Sequence, residues 1–122
     1  MRYFIPILVL AVVSMAFTFT GNENHSINLD EAAKLTANYR ESAGAESFLG
    51  GYLSKNAILN ILNQQSCVGL RIYNAKTDAG EPTFVLVGVN SKGDDLTGGE
   101  LAEFISGCPP FCPVASKLTG SK

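Results

Sequence analysis

The run Cys108-Pro-Pro-Phe-Cys112 is the sharpest chemical constellation in the chain, and Cys67 is the one other thiol. Neighbouring thiols can form a structural bridge, exchange with an external disulfide, or join further ligands around a metal. A redox dithiol ordinarily separates its cysteines by two residues and sets the first at a helix N-terminus, where its pKa falls. Here three residues intervene and prolines occupy the turn. A Cys3His metal site would depend on His25, the single histidine, far from the thiols in sequence. A structural disulfide is therefore the expected state, with redox exchange through Cys108 and Cys112 as the alternative. Three thiols allow three pairings. Closing a loop of about 40 residues removes roughly 3–4 kcal/mol of unfolded-state entropy in the chain-entropy description. That favours a bridge from Cys67 to one of the two tail cysteines over a small loop within the tail.

Arg71 and Tyr73 alternate with Gly69 on one side of a predicted strand. A guanidinium and a phenol beside a glycine can form a shallow recognition surface in which the arginine pairs a carboxylate. The plainer expectation is an arginine stem lying along the sheet and paired with a surface acid. Asp94 and Asp95, with Asn90 and Glu100, offer oxygen ligands for calcium. Their spacing does not fit the twelve-residue loop that opens Asp-x-Asp and closes with Glu, and a solvated hairpin turn is the expectation. Activation of a serine or cysteine nucleophile needs a nearby base, commonly histidine. The part of the chain expected to fold carries no such pattern, so no catalytic residue and no cofactor is assigned.

These residues must be positioned by a small set of elements. Asn28 followed by Glu31 reads as a weak capping box, opening a helix over 29–41 with Ala32, Leu35 and Tyr39 on one face. Asp30 and Glu31 in its first turn and Arg40 in its last match the helix dipole. The glycine-bearing stretch 42–51 ends it. Ser54 caps a second predicted helix over 55–65, with Ile58, Ile61 and Leu62 inward and Asn60, Asn63 and Gln64 outward. Residues 68–74 alternate as a strand with one polar side. Residues 83–90 are apolar on both sides, as in a strand covered on both faces. The loop residues 77–82 between them predict an antiparallel hairpin with a longish connection. Leu96 is a candidate start for a short third strand, and residues 101–105 form a short helical turn or an edge segment. From Gly107 onward the chain holds three of its five prolines and is expected to be an extended arm. Two helices packed on a small antiparallel sheet, with a Pro/Cys-rich C-terminal arm, make an α+β fold.

The chain begins with Arg2, an apolar run from Tyr3 to Phe17, and the small residues Ser14 and Ala16 at its exit. That is the build of a secretory signal peptide, residues 1–16, cleaved after Ala16. A retained anchor is the alternative, although a spanning helix needs about 20 apolar residues and this run is at or below that length. Residues 17–27 follow as a flexible leader, and residues 28–122 as a single domain. Removal of Arg2 leaves eight Lys and Arg against eleven Asp and Glu, a net charge of minus three. No basic stripe exists for phosphate neutralisation, so nucleic acid is not an expected partner, nor is stable membrane insertion after processing. The expected location is periplasmic or extracellular, where disulfides persist.

Cys-Val-Gly-Leu-Arg-Ile-Tyr (67–73), Phe-Val-Leu-Val-Gly-Val-Asn (84–90), Gly-Asp-Asp-Leu (93–96) and the Cys-Pro-Pro-Phe-Cys tail (108–112) occur in this order. The order resembles a group of small uncharacterised proteins, largely from Bacteroidetes bacteria, over about residues 29–112. This chain has Asn90 and Asp94 where the group's pattern has Asp and Asn. The resemblance implies a bacterial, exported protein and carries no activity with it. The expectation for function is a non-enzymatic binding or accessory protein of the cell envelope with an unknown protein or small-molecule partner. Arg71 and Tyr73 are its contact residues.

Overall fold

The computed structural model describes residues 18–44, 46–104 and 106–120. The expected signal peptide therefore lies outside the described residues. Two α-helices and two small antiparallel sheets form an α+β fold. Helix α1 spans Leu29–Ala43; Asn28 caps it, its side chain accepting the Glu31 N–H at 2.8 Å. Gly44 ends it at φ 93°, a conformation natural to glycine. Helix α2 spans Lys55–Leu62 under a Ser54 cap, whose hydroxyl accepts the Ala57 N–H at 3.2 Å.

Strands β2 (Gly69–Lys76) and β3 (Pro82–Val89) form the expected hairpin, with Arg71 opposite Val87 and Tyr73 opposite Val85. In the connection, the Thr77 hydroxyl accepts the Glu81 N–H at 3.1 Å, and Gly80 turns at φ 83°. The third strand is β4 (Leu101–Glu103), on the far side of β3, which settles 101–103 as an edge strand. Leu96 instead donates its N–H to the Gly88 carbonyl at 2.8 Å, beside an isolated bridge between Val89 and Asp95. β3 is thus the middle strand, and Leu86, Val87 and Val89 are buried. Helix α2 packs on this sheet and buries Ile61. Helix α1 buries no residue, and Leu35 and Tyr39 on its apolar stripe are each 50% exposed. The Arg40 guanidinium, in its last turn, donates to the Leu118 carbonyl of the tail at 2.6 Å.

The glycine stretch expected only to end α1 also holds β1 (Gly50–Tyr52), paired with β5 (Ser106–Cys108) in a second sheet. Glycine is needed here for close approach: a Cβ on Gly51 would lie 2.5 Å from the Phe104 ring. Phe104 stacks on Phe48 at 5.3 Å between centroids, and Phe84 of β3 meets both rings at 5.6 and 5.7 Å. This aromatic cluster joins the small sheet to the large one.

The end of α2 departs from expectation. The helix stops at Leu62, and Gln64 points inward rather than out. Its Nε2 donates to the Ile61 carbonyl at 2.8 Å, and its Oε1 accepts the Glu100 N–H at 2.8 Å. One side chain thereby adds a second donor to the last-turn Ile61 carbonyl of α2 and ties the approach to β4. A methyl group on Gly99 would overlap it. Periodicity assigned Gln64 outward because it reads polarity and not the local demand for a donor and an acceptor.

Among the described residues, no helix is long and apolar enough to cross a membrane. Ile61 is 1% exposed and Val87 2% exposed. Ile61→Ala is expected to lower unfolding free energy by about 2–5 kcal/mol and Val87→Ala by somewhat less, measured by urea titration.

Candidate functional site

β2 is an edge strand, and Arg71 and Tyr73 lie on one face of it, in register with the buried Val87 and the half-buried Val85 of β3. The structure brings both onto Asp95. The Arg71 guanidinium bonds Asp95 Oδ1 and also reaches the Gly93 carbonyl at 3.2 and 3.3 Å, while the Tyr73 hydroxyl donates to Asp95 Oδ2 at 2.5 Å. Both side chains thus hold the 90–95 turn against the sheet, and the arginine pairs an acid of its own chain. The hydrogen bond from Tyr73, then that from Arg71, holds the Asp95 carboxyl below the ordinary carboxylate range, against partial desolvation. The same bond to Asp95 pushes the Tyr73 hydroxyl up, and Asp95 likewise raises the Arg71 guanidinium.

Of the oxygen set considered for calcium, Asn90 and Asp95 are engaged by protein donors. Asn90 Oδ1 accepts the N–H groups of Lys92 and Asp94, each at 3.0 Å, an Asx-type turn. Asp95 has an oxygen on each of Arg71 and Tyr73. Among the described residues, no group of three or more His, Cys, Asp or Glu side chains is placed to hold a metal.

The leader shapes the site more than its composition suggested. Phe19 donates its N–H to the Ser91 carbonyl at 2.8 Å, and its ring lies over Gly93, where a Cβ would fall 3.0 Å from it. Gly21 sits at φ 80° against Val68; a Cβ there would be 2.8 Å from the Val68 carbonyl oxygen, so approach and conformation both require glycine. Between this segment and the β2 edge lies a cleft of about 390 Å³. Phe19, Val68, Leu70 and Val89 supply apolar walls, and Glu23, His25 and Arg71 bring polar groups. Glu23 is held below its ordinary pKa by the Thr20 backbone N–H, which it accepts at 2.8 Å. Tyr73 does not line the cleft. Phe19, Glu23 and His25 were missed because a short polar, Gly/Asn-bearing stretch carries no periodicity; an aromatic two residues before a glycine is the one local hint.

The thiols pair differently from the entropic expectation. Cys108 is bonded to Cys112, and Cys67 is free. The tail curls on itself: the Phe111 N–H bonds the Gly107 carbonyl at 3.0 Å, and the two cysteines' Cα atoms stand 4.7 Å apart, within ordinary bridging reach. Both peptide bonds preceding Pro109 and Pro110 are cis. Cys67 lies just before β2 of the large sheet, its Sγ donating to the Gly69 carbonyl at 3.1 Å, while Cys108 belongs to the small sheet. Loop-length entropy describes the unfolded chain and does not register this separation.

The Asp95 network implies a pH signature. Asp95 has a folded pKa below its unfolded value, so its contribution to stability is full above about pH 4 and is lost as pH falls through the lowered value. Tyr73 has a folded pKa above its unfolded value, so its contribution is full below about pH 10 and is lost as pH rises through the raised value. The stability gap between wild type and Asp95→Asn is expected to be flat from about pH 5 to 9 and to shrink at both ends. Urea midpoints across pH measure it, and a gap independent of pH contradicts the assignment. No family model, curated protein or solved structure matches this chain.

Proposed function

We propose that this chain is an exported, non-enzymatic binding or accessory domain of the bacterial cell envelope, with the cleft between the leader and the β2 edge as its ligand surface. The basic start and apolar run of residues 2–17 support export, and the disulfide is compatible with an oxidising compartment. The cleft is the observation that carries the reading. It combines apolar walls with a few polar groups, the usual make-up of a small-ligand site, and its volume falls within the usual range. An amphipathic small molecule fits that lining. Arg71 contributes as a wall residue, and Tyr73 acts through Asp95 to hold the turn on which Phe19 rests.

Gly69 supplies a clean test. It lines the cleft, and a Cβ there would meet no atom within 4 Å, so a larger side chain can enter without displacing the fold. Wild type is expected to enhance the fluorescence of anilinonaphthalene sulfonate. Gly69→Phe should weaken that binding about tenfold or more with an unchanged melting temperature. Equal probe binding by the two proteins removes the cleft from the reading.

A second reading, thiol exchange, is favoured by the position of the disulfide inside the Cys-Pro-Pro-Phe-Cys loop, with Cys112 exposed and Cys108 buried. An external dithiol would attack the Cys112 sulfur, release Cys108 as thiolate, and then close on itself, leaving two protein thiols and one new external disulfide. Under millimolar glutathione buffers, alkylation and mass analysis should then find oxidised and reduced loop together. A bond that stays intact in excess reduced glutathione marks it as structural and rejects exchange.

A further inference from the structure

Helix α1 leaves its stripe unburied against the large sheet, and the C-terminal tail comes back to it. Between them runs an open groove of about 770 Å³, lined by Ala33, Lys34, Arg40, Ala115, Lys117 and Gly120, with Ser116. Three cations therefore line one groove on a chain whose net charge is minus two, and no carboxylate lines it among the described residues. Asp30 lies 4.0 Å from the Lys117 ammonium; both are exposed, and such a pair is weak and readily screened.

Arg40 is the organising group. It is half-buried, and the partner holding it is a neutral carbonyl, that of Leu118. Gly120, at φ 78°, lies so close beneath the guanidinium that a Cβ would fall 3.0 Å from Nη2. The tail thus fixes the plane of the guanidinium without neutralising it. Lys34 is exposed and forms no hydrogen bond or ion pair among the described residues. A pre-ordered guanidinium beside two exposed ammonium groups suits an anion with several oxygens and more than one charge. We infer that the groove between α1 and the C-terminal tail is an anion site that takes a phosphate-bearing ligand, separate from the β2 cleft. A lone carboxylate would leave most of the positive charge unmatched, whereas a phosphate or pyrophosphate group brings more than one negative charge to the groove.

The test uses the full-length chain at low ionic strength with two probes: inorganic pyrophosphate, followed by calorimetry, and phosphatidylglycerol vesicles, followed by co-sedimentation. Pyrophosphate binding without vesicle binding identifies a free phosphate ligand. Vesicle binding that pyrophosphate displaces identifies a lipid headgroup. In either case binding should fall steeply with added salt. Lys34→Glu should weaken it at least fivefold without changing the melting temperature, and Lys34→Arg should keep it. Arg40→Gln should weaken it further, although it also frees the tail, so Lys34 is the deciding position. Binding to neither probe, or a Lys34→Glu affinity within twofold of wild type, overturns the site.

Discussion

The double-sided burial of β3 is the constraint on which the rest of the structure hangs. This strand lies between β2 and β4 and carries Leu86, Val87 and Val89 into the core. On one face, Gly88 leaves room beneath Cys67, Gln64 and Leu96; a Cβ there would come within 3.0 to 3.3 Å of all three. On the same face, Phe84 reaches the rings of Phe48 and Phe104. On the other face, the valines underlie Arg71 and Tyr73. A backbone polar group in such a place must be paired within the sheet, so the positions of β2 and β4 follow from it.

Polar side chains then finish what apolar burial begins. Gln64 ties α2 to the approach of β4, and Asp95 ties the 90–95 turn to β2. These are single side chains that bridge two elements, Gln64 by donating to one and accepting from the other, Asp95 by accepting from two β2 side chains. The Asp95 network also reaches the leader, because Phe19 rests on the turn that Arg71 and Asp95 hold. The walls of the β2 cleft therefore depend on an ion pair to which one wall residue, Arg71, itself belongs. The groove against α1 has a different logic, with charge fixed by a backbone carbonyl and left unneutralised.

Much of the fold was legible in local pattern. The caps at Asn28 and Ser54, the start of both helices, the hairpin of 69–89 and the two-faced burial of the all-apolar strand follow from periodicity and capping chemistry. The candidate site was less legible. Arg71 and Tyr73 were visible as a shared face, but their common partner Asp95 comes from a turn more than twenty residues on, and no spacing rule reaches that far. The β1–β5 sheet was hidden because glycine-rich strands carry no hydrophobic alternation.

By itself, the order of residue types determined the α+β class, the helix starts and which strand is covered on both faces, because these depend on interactions within a few residues and on total burial. Tertiary structure alone decided that Cys108 pairs with Cys112 while Cys67 stays free, that Gln64 turns inward, and that the leader walls a cleft. Each of these depends on which distant atoms come within bonding distance, and that is set by the packing of sheets and rings rather than by sequence separation.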